Sequence, residues 1–195
     1  MRIGVTGIFA SGKASVCALF SELGALVIDT DIIAREIVTP GTSCYNAIVD
    51  AFGTGFLNID RTLDRRRFAQ FIFSDKKRVE ILNNITHPAV LEKLLSLSDS
   101  GAIYMVNTPL LFEAKFNERM DKNIVVTADP EQVIERGIRR DGITAGEIED
   151  RLKHQIPLNE KVKMADYVIN NSGTFENTKR QVNELWKILL RIRKK

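Results

Sequence analysis

Residues 2–16 read R-I-G-V-T-G-I-F-A-S-G-K-A-S-V, and this stretch decides the fold. Ile3 to Val5 is a short apolar strand. Val16, Leu19, Phe20 and Leu23 then recur at i, i+3, i+4 and i+7, the period of a helix buried on one face. Between strand and helix the spacing Gly7-x4-Gly12-Lys13 makes a glycine turn. Such a turn aims backbone N–H groups and the positive end of the helix dipole at one point. That point suits a di- or triphosphate, and Lys13 adds a mobile cation. Gly7, Ser11, Gly12 and Lys13 are therefore candidate nucleotide contacts, and Ser15 offers a hydroxyl and an N–H to an α-phosphate. The bland alternative is a tight turn with an exposed lysine. One position departs from the phosphate-loop (P-loop) pattern: a Ser or Thr hydroxyl that helps hold Mg²⁺ is replaced by Ala14.

Working outward, Ala25–Asp29, Ala102–Val106, Asn123–Thr127 and Tyr167–Asn170 are further apolar runs, which with Ile3–Val5 make five short strands. Most lack the alternation of a half-exposed sheet, so the expectation is strands covered on both faces. Helical segments separate them, which predicts a parallel α/β sheet with right-handed crossovers. Asp129-Pro130-Glu131-Gln132 reads as an N-cap, a proline at the first helical position and a capping-box glutamine. Thr144-x-x-Glu147 reads as a second capping box, opening a helix toward His154. Val182, Leu185, Trp186 and Leu189 form the packing stripe of a last helix.

Two stretches exceed what a crossover needs. From Asp31 to about Ser100 there are helical patterns and turns at Pro40-Gly41 and Gly53–Gly55, but no convincing strand. Arg136 to Lys163 is helical and rich in basic residues. Both lie where strand C-termini emerge, the ligand side of an α/β sheet, so they read as a second-substrate domain and a lid.

At 195 residues, with 44% hydrophobic and 27% charged residues, the composition is that of one substantial globular core. The apolar runs are strand-length, and neither a membrane span nor a signal peptide is expected. Cys17 and Cys44 make no metal or disulfide framework, which points to a reducing cytoplasm. The net charge of +3 is small. Arg191, Arg193, Lys194 and Lys195 read as a solvated helix end, so no nucleic-acid partner is expected.

Asp29-Thr30-Asp31 closes strand two. A carboxylate there can take a proton from an attacking hydroxyl or hold Mg²⁺-bound water, or it can simply cap a helix starting near Ile32; Asp31 is the candidate base. Arg136 and Arg140 share a helix face and could close over a triphosphate, with Arg139 on another face; dipole-complementing surface residues are the alternative. His87-Pro88 reads as a helix start, with His87 a cap or substrate contact. Arg65, Arg66 and Arg67 are a solvated face or a site for acceptor phosphates.

These elements in this order resemble the dephospho-CoA kinases. The resemblance rests on V-I-D-T-D-I-I-A-R (27–35), Val38-Thr39-Pro40-Gly41, L-D-R (63–65) followed by Phe73, and T-H-P (86–88). It continues through P-L-L-F-E (109–113), E-R-G-I-R-R-D-G (135–142), Gln155 and A-D-Y-V-I-N-N-S-G (165–173). It implies transfer of the ATP γ-phosphate, with Mg²⁺, to the ribose 3′-hydroxyl of dephospho-CoA. It also implies a five-stranded P-loop fold: 1–30, 101–135 and 166–195 as nucleotide-binding core, 31–100 as helical acceptor domain and 136–165 as lid. By the same resemblance Asp31 is the base, and Lys13 and Arg140 stabilise the transferred phosphate. Gly7, Ala10, Ser11, Gly12, Ala14, Ser15, Arg136 and Asn171 hold ATP, Asn171 near the adenine. Thr6, Arg35, Arg65, His87 and Pro109 hold the acceptor, and the metal ligands are left unassigned. The implied protein is a cytoplasmic monomer or weak homo-oligomer. The family's loop usually reads G-G-I-G-S-G-K-S-T, whereas here it reads G-I-F-A-S-G-K-A-S, and Asn107 stands where many relatives carry an acidic residue. Two other readings stay open: a nucleotide- or CoA-binding relative with weakened catalysis, and a P-loop kinase of another small acceptor such as a nucleoside monophosphate.

Overall fold

Apolar runs bounded by turns become the strands of one parallel sheet, and amphipathic runs become the helices around it. The computed structural model describes residues 1–98, 101–153 and 155–193; His154, Lys194 and Lys195 lie outside the described residues. The chain divides into two compact units, Met1–Asp29 with Ser100–Lys195, and Thr30–Asp99.

The first unit holds strands β1 (Arg2–Thr6), β2 (Leu26–Asp29), β3 (Tyr104–Asn107), β4 (Lys122–Thr127) and β5 (Tyr167–Asn170) in the order β2-β3-β1-β4-β5, every pair parallel. Helix α1 (Lys13–Glu22) follows β1, and α9 (Phe175–Arg193) closes the chain. Both bury their apolar stripes in one core: Val16 and Phe20 from α1, Val182 and Leu189 from α9, with Ile3 and Met105 from the sheet. Trp186 tilts against Phe20 with ring centroids 6.2 Å apart. β1 is central, and its two neighbours come from opposite directions in the strand order. The loop after β1 therefore opens at the point where parallel sheets bind ligands.

The expectation of strands covered on both faces fails at the two edges. On β2, Leu26 and Val27 are exposed, and on β5 Val168 is exposed, because each has one strand neighbour and incomplete helical cover. Three more helices complete this unit: α6 (Pro130–Asp141), α7 (Ala145–Lys153) and α8 (Leu158–Lys163). The Thr144 capping box forms as read. Glu147 accepts from the Thr144 N–H at 2.8 Å, and the Glu147 N–H donates to Thr144 Oγ1 at 3.3 Å. The Asp129 box does not form. Asp129 accepts instead from the Ser172 hydroxyl, and Gln132 donates to the Ser172 carbonyl at 2.6 Å. A tertiary partner outcompetes the local one.

The second unit contains α2 (Thr30–Glu36), α3 (Ser43–Phe52), α4 (Arg65–Phe73) and α5 (Lys76–Leu97). Side chains of Thr42, Asp64 and Asp75 cap α3, α4 and α5. Its core joins Cys44, Ile48, Phe68 and Ile72 with the rings of Phe52, Phe56 and Phe71. Two readings are corrected here. Helix α2 starts at Thr30, so Asp31 lies within its first turn instead of capping it. His87-Pro88 does not start a helix, since α5 runs through Pro88. A proline in a helix interior removes one hydrogen bond and costs about 3 kcal/mol. Here α5 packs against α2, α3 and α4, and that packing outweighs the defect.

Candidate active site

The turn after β1 is held in a shape that only some residues allow. Gly12 has φ 93, in the left-handed region, and a Cβ there would strike Asn171 Nδ2. It is also the N-cap of α1 and brings no side-chain cap, so the first N–H groups of the helix stay available to a ligand. Lys13 Nζ donates to the carbonyls of Gly7 at 3.3 Å and Ile8 at 3.0 Å, which folds the cation over the loop. Ala10 also sits at φ 54, where a side chain costs about 1–2 kcal/mol. Apolar packing offsets that strain. Ala10 is buried with Ala128, Val133 and Ile148, and Ile8 and Phe9 pack on the same cluster.

Asn171, at the end of β5, works as a strut for this loop. Its Nδ2 donates to the Ser11 carbonyl at 2.9 Å, and its Oδ1 accepts from Thr178 Oγ1 at 2.9 Å. Arg136 donates through Nη2 to the Asn171 carbonyl at 3.0 Å and to Gln132 Oε1 at 2.9 Å. Its Nη1 lies 3.9 Å from where a Gly12 Cβ would stand, buried and without a hydrogen-bond partner, and Ser11 Oγ is buried and unbonded likewise. Orphaned polar groups beside an uncapped helix N-terminus are what an anionic ligand satisfies.

On the opposite flank, Ala14, Asp29 and Asn107 border a cleft of about 500 Å³. Asp29 pairs with Asn107 in the strand register, and Asn107 Nδ2 donates to Asp29 Oδ2 at 2.8 Å. Cys17 lines the same cleft, and burial pushes its thiol up to about 12, so it is not a thiolate at neutral pH. Ala14 and Ser15 are exposed in the first turn of α1. Thr6 is fully buried and donates to the Pro109 carbonyl at 3.2 Å.

Arg140, at the end of α6, holds Asp141 through two bonds of 2.7 and 3.0 Å and lies 4.9 Å above the Phe9 ring. The pairing raises the Arg140 pKa and holds the Asp141 carboxyl below the usual range. In the helical unit, Asp31 and Arg35 are exposed on α2, one turn apart, and Arg65 Nη2 reaches the Arg35 carbonyl at 3.4 Å. His87 is half-buried on α5, and desolvation lowers its pKa, which favours the neutral imidazole.

Several residues here were not singled out from the sequence: Phe9, Asp141, Arg151, Glu113 and Lys161. Lys161 is fully buried, and its Nζ meets Glu113 Oε1 at 2.8 Å and the Pro109 carbonyl at 2.9 Å. Glu113 Oε1 also accepts from the Ile156 N–H at 3.0 Å. A carboxylate closing the apolar run Pro109–Phe112 was the available signal for Glu113. Lys161 sits among Asn159, Glu160 and Lys163, a context that reads as solvated.

The dephospho-CoA kinase family profile matches residues 1–177. The chain is 42% identical over 185 residues to a dephospho-CoA kinase of Carboxydothermus hydrogenoformans, covering 92% of this chain and 90% of that one. A Thermus thermophilus crystal structure superposes with a TM-score of 0.82 at 30% identity, covering 97% of both chains. The dephospho-CoA kinase structure from Campylobacter jejuni gives a TM-score of 0.70 at 26% identity, covering 96% of both.

Proposed function

The chain belongs to the dephospho-CoA kinase family, and from that premise we propose how its residues carry out the ATP-dependent phosphorylation of dephospho-CoA to CoA and ADP. The β- and γ-phosphates of ATP lie on the uncapped N-terminus of α1. Lys13 exchanges the Gly7 and Ile8 carbonyls for phosphate oxygens. Arg136 Nη1 and Ser11 Oγ, buried beside the loop, supply further donors, and Asn171 borders the adenine while holding the loop's carbonyl side. Residues 136–165 act as the lid and bring Arg140 to the transferred group. Residues 31–100 hold the acceptor through Arg35, Arg65 and His87, and Thr6 acts through the Pro109 carbonyl it fixes.

Asp31 accepts the proton of the ribose 3′-hydroxyl as its oxygen attacks the γ-phosphorus, and the bond to the β,γ-bridging oxygen breaks to release ADP. Charge growing on the γ-oxygens is met by Lys13 and Arg140, groups already oriented before the reaction.

Mg²⁺ fits the donor set on the cleft side. Such an ion keeps several waters and takes one or two carboxylates plus phosphate oxygens, and Asp29, oriented by Asn107, borders the cleft that Ala14 leaves open. When bound, it would neutralise negative charge on the phosphates of ATP. Among the described residues no group of three His, Cys, Asp or Glu is placed to hold a metal ion.

The observation that carries this reading is the P-loop itself, with the N-terminus of α1 uncapped by any side chain and its lysine folded across the loop. A weakened relative is not favoured, because the side chains that replace loop glycines are packed instead of clashing. The test is to incubate purified protein with ATP, Mg²⁺ and dephospho-CoA and to look for CoA and ADP appearing together. The Asp31→Asn variant keeps nucleotide affinity and loses transfer by ~10²–10⁴-fold. Turnover near the parental rate would remove Asp31 from the mechanism.

A further inference from the structure

The Phe9 ring, midway along the P-loop, carries two guanidinium groups. Arg140 lies 4.9 Å from its centroid and Arg151, on α7, lies 5.1 Å from it. Both distances are within reach of the ring's quadrupole. The same two arginines share one carboxylate: Arg140 binds Asp141 through both Nε and Nη2, and Arg151 Nη1 meets Asp141 Oδ2 at 3.3 Å. Glu147 also feels the charge of Arg151, but its carboxylate is committed to the N–H and hydroxyl of Thr144. Two cations thus share one carboxylate, beside the loop to which the kinase reading assigns the phosphates. Gln155 fixes this arrangement to the loop, accepting from the Phe9 N–H at 3.0 Å.

A purely structural reading makes this a surface ion pair at a helix end. That reading explains Arg140 and Asp141, but it does not explain why a second arginine from another helix converges on the same carboxylate and the same loop ring. The side chains of Arg140 and Arg151 are 60% and 51% exposed. Exposed pairs contribute little, so a polyanion of higher charge displaces such a carboxylate readily. Arginine is suited to the exchange, since its planar fork accepts a carboxylate or a phosphate in the same geometry.

We propose that Arg151 is a second phosphate-binding residue of the α6–α7 segment, poised beside Arg140 on Phe9, and that Asp141 is the counter-ion which the nucleotide's phosphates displace. The inference rests on the kinase reading above and adds to it a residue and an exchange. No bond to phosphorus forms or breaks in the exchange; one ion pair replaces another.

Calorimetric titration of ATP and of AMP, both with Mg²⁺, into the parent, Arg151→Ala, Arg151→Lys and Asp141→Asn proteins tests it. Arg151→Ala should bind ATP about tenfold more weakly or worse, the loss of one charge-assisted contact, with AMP affinity unchanged. Arg151→Lys should fall between. Asp141→Asn should bind ATP several-fold more tightly, because the competing anion is gone. An unchanged ratio of ATP to AMP affinity in Arg151→Ala overturns the phosphate role, and weaker ATP binding in Asp141→Asn overturns the exchange. Should Arg151→Ala fail to fold, the Arg151→Lys and Asp141→Asn titrations still decide. CoA formation by the parent protein is read separately, so failure of the kinase reading and failure of this inference give different results.

Discussion

The two flanks of the P-loop have absorbed their departures from the family pattern in opposite ways. On the flank toward α6 and α7, Ile8, Phe9 and Ala10 are packed against Val133 and Ile148, and side chains have become a binding surface for the neighbouring helices. On the flank toward β2 and β3, Ala14 and Asn107 border an open cleft, where Asn107 donates to Asp29. A glycine replaced in a close-packed place must be repaid by packing. A metal ligand replaced in a wet place can be substituted by water. The first kind of change alters stability and motion, the second alters ion dependence.

The largest effect should come from neither flank but from a buried polar anchor in the same unit. Lys161 is buried against Glu113 and the Pro109 carbonyl, and truncating one partner of such a pair strands the other's charge. Lys161→Ala should lower stability by about 3–5 kcal/mol in urea unfolding. Adding Glu113→Gln to Lys161→Met should restore much of the loss, since the amide still accepts from the Ile156 N–H and carries no charge. A loss under about 1 kcal/mol for Lys161→Ala would mean that water reaches the pair and that it is no dry anchor.

A smaller effect separates two glycines of the same region. At Gly137 in α6, a Cβ would stand 2.7 Å from Ile148 Cδ1 and 2.9 Å from Phe9 Cε1, so glycine there permits the close approach of helix and loop. At Gly146 in α7, nothing lies within 4 Å. Gly146→Ala should stabilise by about 0.5–1 kcal/mol through helix propensity. Gly137→Ala gains the same propensity and loses more to overpacking, for a net destabilisation of about 1 kcal/mol, with slower transfer as α6 is pushed off Phe9. Thermal unfolding of the two variants side by side checks the sign, and equal shifts would show that the Phe9 contact yields freely.

The loop and the five strands were legible in the sequence because each depends on neighbours within one turn or one strand. Gly7, Gly12 and Lys13 are specified by a backbone shape that twelve consecutive residues encode between them, Arg2 to Lys13. What was not legible depends on distant partners. Gln132 leaves its capping role for Ser172 and Arg136. Pro88 stays inside α5, a helix that packs against three others. Lys161 reads as a surface residue until the segment after β3 is folded over it, and Phe9 reads as an oddity in a glycine loop until two helices deliver their arginines to its ring. Local chemistry shapes the loop, while the residues that brace it appear only with tertiary structure.

The open flank should give the smallest response, and Ala14→Ser measures it. The substitution restores the hydroxyl the family's loop carries, on the first turn of α1 and at the rim of the cleft shared with Asp29 and Asn107. Since Mg²⁺ in such sites draws most of its octahedron from water and phosphate, one hydroxyl is a modest share of its coordination. Position 14 is exposed, so the serine costs nothing in packing and leaves stability within about 0.5 kcal/mol of the parent. The expected outcome is a lower Mg²⁺ requirement and a turnover raised by about two- to fivefold, well below one decade and hence under about 1.4 kcal/mol of barrier. Turnover against Mg²⁺ concentration, for both proteins at saturating ATP, reads this directly. A neutral or harmful Ala14→Ser would place the compensation in the protein and not in water, with the Asn107–Asp29 bond as its source; Asn107→Asp in the Ala14 background would then lower activity, whereas under hydration by water it should raise metal affinity.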